Sequence, residues 1–281
     1  TTLPVANIAT GSNIIIDTTA PTITSIVSST ANGSYKAGDV IAIRINFSEV
    51  VTLTGTMGIN LDSGGVCVIS DFTGTTATGT YTVLAGQTSV DLTATSVVVN
   101  TSARDAALNN LVVTLPVTNI ATGSNIVIDT TAPTITSIIS STANGSYKSG
   151  DVIAIRINFS EVITMTGTMG INLDSGGVCV ISGFTGTTTT GAYTVLAGHA
   201  STDLTATSVV VNLTARDAAL NNLVTTLPVT NIATGSDIII DTTAPTITSI
   251  TSSTVNGSYK AGDIVAIRIN FSEVITLTGT M

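Results

Sequence analysis

The feature that most constrains this chain is self-similarity at a period of 112 residues. TLPV recurs at Thr2, Thr114 and Thr226, and IDTTAPTITSI recurs from Ile16, Ile128 and Ile240. Aligned at that offset, residues 17–128 and 129–240 are identical at 97 of 112 positions. Solenoid repeats of about 20–50 residues need their neighbours to bury a core, whereas a unit this long is the size of a whole domain. The expected organisation is a string of domains: a complete repeat over 20–128, a second over 132–240, the last strand of a preceding repeat in 1–16, and the first strands of a following one in 244–281.

Within the repeat, Ile41, Ile43, Ile45 and Phe47 alternate with Val40, Ala42, Arg44 and Asn46, the period of two that marks a strand with one buried face. Met57, Ile59 and Leu61 continue the pattern. Asn32-Gly33, Gly38-Asp39, Ser63-Gly64-Gly65, Thr73-Gly74 and Ala85-Gly86 punctuate these runs with turn chemistry. The spacing predicts seven or eight short strands per repeat, hence an all-β fold of tandem immunoglobulin-like β-sandwich domains. Ala103 to Leu111 reads as a loop between the last strands.

Composition narrows the function classes. Of 281 residues, 43% are hydrophobic and 9% charged, with a net charge of −9, which suits packed domains and not disorder. Eight scattered basic residues provide no clustered Lys and Arg for phosphate, so neither nucleic acid nor an anionic membrane is an expected partner. No run approaches the roughly 18–20 apolar residues that span a bilayer, so no direct membrane insertion is expected.

The segments DTTAPTIT, GSYKAGDVIAIRINFSEVV, YTVLAGQTSVDLTA and RDAALNN, in that order, resemble bacterial immunoglobulin-like tandem repeats of large surface proteins, adhesins among them, and especially the type first noted in a cyanobacterial swimming-motility protein. The resemblance covers the whole repeat and implies an extracellular, cell-surface setting. One departure stands out: where that family commonly reads DAAGN, this chain reads Asp105-Ala106-Ala107-Leu108-Asn109, and loss of the glycine is expected to reshape the loop.

Carboxylates are the residues most able to carry chemistry. If the first strand leaves the linker for the far pole and the next returns, Glu49 comes back near Asp17, and the loop with Asp105 lies at the same pole. Three converging carboxylates repel unless a hard cation neutralises them, and Ca²⁺ takes six to eight such oxygens. The expected metal sets are Asp17, Glu49 and Asp105; Asp129, Glu161 and Asp217; and Asp241 with Glu273. The resemblance adds to this, since many tandem surface repeats use calcium at their junctions. The competing reading is of turn caps and solvated charges, as no contiguous calcium-loop motif is present.

Cys67 and Cys179 occupy equivalent positions, one per repeat, which excludes a disulfide within either repeat. If Val66, Val68 and Phe72 form a core face, Cys67 points outward with Ile69 and Asp71, as a site of intermolecular contact. A β-bulge reverses that parity and makes the thiol a small core residue instead. His199, the sole histidine, is matched by Gln87 in the first copy, so no imidazole belongs to the repeated unit and no nucleophile–base pair is expected. The chain therefore reads as a structural protein and not an enzyme: a filament, fibre or adhesin stalk that self-associates into an array. The alternative is a ligand-binding module whose partner is a surface glycan or ice. Asn32, Asn46 and Asn100 begin glycosylation sequons, although Asn32-Gly33 is equally a turn.

Overall fold

A computed structural model describes residues 12–279. Residues 23–129 contain eight strands: β1 (Ile23–Ser28), β2 (Gly33–Tyr35), β3 (Val40–Leu61), β4 (Val66–Thr82), β5 (Thr88–Ser89), β6 (Ala94–Val99), β7 (Ser102–Arg104) and β8 (Ile126–Asp129). One short helix, α1 (Ile120–Gly123), precedes β8, its N-terminus capped by the Asn119 side chain. The second copy repeats the order as β9 (Ile135–Ser140), β10 (Gly145–Tyr147), β11 (Val152–Leu173), β12 (Val178–Thr194), β13 (Ala200–Ser201), β14 (Ala206–Arg216) and β15 (Ile238–Asp241). In β14 the counterparts of β6 and β7 are fused.

The fold is an all-β sandwich. In the larger sheet β3 is central, pairing antiparallel with β1, β4, β6 and β7. The smaller sheet has β8 between β2, parallel to it, and β5, antiparallel to it. Alternation does what its period requires: Ile41, Ile43, Ile45, Met57 and Ile59 are wholly buried, while Val40 and Arg44 face solvent. One apolar cluster draws its buried members from Ile23 to Ile128, and a second draws its own from Ile135 to Ile240. Tyr81 closes the core beneath the β3–β4 turn, where a Cβ on Gly65 would lie 2.2 Å from its ring. Its hydroxyl donates to Gln87 Oε1 at 2.8 Å and accepts from Ser63 Oγ at 3.0 Å, so no buried polar atom there is stranded.

Two expectations need correction. The strands are not all short, since β3 and β11 run for 22 residues each. Strand β3 is continuous through β-bulges, with register shifts between Asn46 and Val51 and between Leu53 and Thr56, and the turn signal at Thr73-Gly74 falls inside β4, where Gly74 pairs with Val51. Cys67 and Cys179 point inward, both fully buried, while Val66 and Val68 are exposed. The β3–β4 ladder is irregular where Asp71 stands between Ser70 and Phe72, so one parity does not run from Val66 through to Phe72. With Sγ lying 2.7 Å from where a Cβ on Gly79 would sit, Cys67 fills a space that only glycine opposite leaves open.

Most of the expected strand in residues 1–16 lies outside the described residues, and residues 12–16 form no strand. Their equivalents in β8 are held between β2 and β5, a pair that Ile14–Ile16 do not find among the described residues. At the other end, β16 (Ile247–Ser252) and β17 (Ile267–Phe271) pair with Ile247 opposite Phe271, the register of Ile23 opposite Phe47. Without further strands against them, Ile247, Ile250 and Ile267 are exposed.

Candidate metal centre at the repeat junction

Each of the first two carboxylate sets converges. Asp17, Glu49 and Asp105 each place one oxygen within 4.8 Å of the others, and Asp129, Glu161 and Asp217 do the same. The routes are those of the strand order. Chain leaving the linker at Thr22 enters β1, and β3 returns beside it until the Ser48 N–H donates to Thr22 O at 2.9 Å, leaving Glu49 next to the linker. The bulge following Asn46 lifts Glu49 out of the ladder. Phe47, two residues before Glu49, stacks on Phe72 with centroids 5.5 Å apart, and Phe159 and Phe184 repeat the pair at 5.7 Å. Asp105 follows directly on β7 and is buried.

The third member of each set is fixed by a loop that closes on itself. Asn109 donates its backbone N–H to Asp105 Oδ1 and its side-chain Nδ2–H to Asp105 Oδ2, both at 2.8 Å. Burial raises the Asp105 pKa, but these bonds and those from the Ala107 and Leu108 backbone outweigh it and hold the carboxyl below its ordinary range. Glu49 moves the other way: desolvation, then the negative charges of Asp17 and Asp105, raise its pKa. Glu161 is raised by the same causes, desolvation first and then Asp129 and Asp217. Among these three acids, one is held ionised by donors while another resists ionisation, which is the charge imbalance that a cation would relieve.

Asn109 and Asn221, which the sequence reading passed over, hold the buried aspartate of each set. Asn221 Nδ2 also donates to Asp129 O at 3.0 Å, so the residue that orders the Asp217 loop also grips the linker. The available signal was their recurrence in RDAALNN, four residues after the aspartate. The glycine departure has a definite outcome: Leu108 and Leu220 take the left-handed conformation themselves, with φ of 69° and 67°. The turn is kept because the Asp–Asn bonds on either side over-determine it, at a cost of about 1–2 kcal/mol for a residue with a Cβ.

The linker is held from both sides. Thr130 Oγ1 accepts from Gly86 N–H at 3.0 Å and donates to Gln87 O at 3.1 Å, tying it to the first repeat. The Asp129 side chain accepts from Thr131 N–H at 2.9 Å, while its carbonyl is taken by Asn221 of the second. Lys36 Nζ donates directly across the junction to Leu220 O at 3.2 Å. The third expected pair, Asp241 and Glu273, is exposed and gains no third carboxylate among the described residues.

The donors at both complete sites are oxygens only, the set that suits a hard cation such as Ca²⁺ and not Zn²⁺ or copper. Comparison with protein-family models and with curated proteins finds no match.

Proposed function

We propose that this chain is the structural repeat region of an extracellular bacterial surface protein, a stalk or fibre in which Ca²⁺ stiffens each junction between consecutive sandwiches. The observation that carries this reading is the placement of Asp129. It ends β8, the last strand of one sandwich, and its carboxylate meets Glu161 and Asp217 of the next, an arrangement that recurs at an offset of 112 residues as Asp17, Glu49 and Asp105. A cation there would bind the two repeats to each other more tightly than either alone. The hydrogen bonds of Thr130, Asn221 and Lys36 already limit the linker's freedom, so little ordering entropy would oppose it. Resemblance to bacterial immunoglobulin-like surface repeats supports the extracellular setting.

Small-angle scattering of the full chain with and without Ca²⁺ tests the stiffening. The proposal expects a longer maximum dimension and a narrower distribution of interdomain distances with Ca²⁺. Superimposable profiles at saturating Ca²⁺ would reject the junction's mechanical role.

A further inference from the structure

Each complete repeat holds the linker that follows it through one tight turn, and the two repeats close that turn with different side chains. In the first, Gln87 Oε1 accepts from the Tyr81 hydroxyl and from Leu84 N–H, both at 2.8 Å. In the second, His199 Nδ1 takes the same place, 2.8 Å from the Tyr193 hydroxyl oxygen and 3.1 Å from the Leu196 nitrogen. The Tyr193 and His199 rings stack with centroids 5.7 Å apart, and His199 is partly exposed, so protons reach it from solvent.

A backbone N–H only donates, so Nδ1 is the unprotonated nitrogen and the neutral ring carries its proton on Nε2. Tyr193 then donates to Nδ1 and accepts from Ser175 Oγ at 3.0 Å, as Tyr81 does between Gln87 and Ser63. A glutamine oxygen and an unprotonated imidazole nitrogen are interchangeable here because both accept. They differ in that the imidazole takes up a proton between about pH 5 and 8. With Nδ1 protonated, two N–H groups face each other across the Leu196 contact. The ring keeps Tyr193 only if that hydroxyl turns its hydrogen to Ser175, and Leu196 N–H is left without its acceptor in either case.

The turn so weakened carries the linker. His199 N–H donates to Leu196 O at 3.1 Å, Gly198 N–H donates to Thr242 Oγ1 at 3.0 Å, and the Thr242 hydroxyl donates to His199 O at 2.9 Å. The charged groups on the neighbouring elements do not relieve the conflict. Asp174, in the β11–β12 turn, accepts from Ser201 Oγ and Thr205 N–H. Asp151, whose turn binds Val195, accepts from Lys148 N–H, and Asp241, opposite Ala200, accepts from Thr243 N–H. Asp203 is exposed in the loop beyond. Among the described residues none of these carboxylates, nor Lys148, hydrogen-bonds the ring.

We propose that His199 makes the second repeat's hold on its following linker acid-sensitive: protonation at Nδ1 opens the Leu196–His199 turn and releases Thr242, while Gln87 keeps the first repeat's hold on Thr130 over the same range. The device needs no bound cation and goes beyond the calcium reading of the junction.

The test is unfolding of the full chain by denaturant in chelator, at about pH 8 and about pH 5, on either side of the imidazole range. Wild type is compared with His199→Gln, a side chain that the first repeat already accommodates in this place. The two proteins should be alike at the higher pH. At the lower, the unfolding equilibrium constant of the second repeat should be about fivefold or more greater in wild type, the loss of one hydrogen bond. Other acids titrate alike in both proteins and cancel. The Leu196 and Gly198 amides should lose exchange protection in acid in wild type and not in His199→Gln, and Gln87→His should carry the acid sensitivity to the first repeat. Nitrogen NMR at the higher pH should find Nδ1 of His199 unprotonated. A proton on Nδ1 there, a gap between wild type and His199→Gln that is the same at both pH values, or a Gln87→His protein no more acid-sensitive than wild type would overturn the proposal. Because chelator is present throughout, these outcomes are separate from success or failure of the calcium site.

Discussion

Asn221 donates one side-chain hydrogen bond to the carboxylate of Asp217 at 2.8 Å and another to the backbone carbonyl of Asp129 at 3.0 Å, so a single amide links a buried acid in one repeat to the last strand residue of the repeat before it. This makes the stability of the second sandwich and the geometry of the junction depend on the same group.

Asn221→Ala should therefore destabilise the second repeat by about 1–3 kcal/mol, the cost of leaving a buried acceptor without its donor. Asn109→Ala should do the same in the first. Chemical denaturation gives the magnitude. A loss below a few tenths of a kcal/mol would mean that water replaces the amide.

Leu220→Gly should leave stability unchanged or raise it by up to about 1 kcal/mol, because relief of left-handed strain opposes the entropy a glycine adds to the unfolded chain. The Leu220 side chain is 54% exposed, so little packing is lost. At Ala206, in a strand and buried, the same change should cost stability. Paired melting curves compare the two.

Cys67 and Cys179 should react with thiol reagents only as fast as the protein opens. Both are fully buried, and burial pushes each thiol up to about 11, so little thiolate exists at neutral pH. Labelling should be slow in the native state and complete in denaturant, with no intermolecular disulfide on non-reducing electrophoresis. Rapid native labelling would contradict the packing against Gly79 and Gly191.

These cysteines also show where the sequence stopped being informative. Alternation made the β3 face legible, from Ile41 through Leu61, because every second residue there is apolar apart from Glu49 and Gly55, which fall at the bulges. In β4 Val66, Cys67, Val68 and Ile69 are all apolar, so hydropathy alone does not choose a face, and the irregularity at Asp71 uncouples them from Phe72. The carboxylate sets were legible because strand direction alone brings Glu49 back to Asp17. Asn109 was not, since an asparagine in a loop satisfies many roles and only its two hydrogen-bond partners distinguish this one. Nor was the conformation of Leu108, which is set by bonds from its neighbours against its own preference.

The shifted acids give a pH dependence. The Glu161 pKa is raised on folding, so in the range just above its ordinary value the folded protein holds more protons than the unfolded one, and stability falls as pH rises through that range. The Asp105 pKa is lowered, so its contribution is present at neutral pH and is lost as pH falls through the folded value. Without metal, Glu161→Gln should be slightly more stable than wild type at neutral pH, by less than about 1 kcal/mol because solvent screens the repulsion. The difference should vanish in acid, where Glu161 is protonated. A variant less stable than wild type at neutral pH in chelator would contradict the repulsion.

The most direct measurement of the junction account is the melting temperature of the full chain as a function of free Ca²⁺, in wild type and in Glu161→Gln. A ligand that binds only the folded state stabilises it by about 2.7 kcal/mol at one hundred times its dissociation constant. Wild type should rise steadily with Ca²⁺ while Glu161→Gln, ahead in chelator, rises less and is overtaken. Melting temperatures that do not move with Ca²⁺ in wild type, or that move equally in both proteins, would contradict a cation held by Asp129, Glu161 and Asp217.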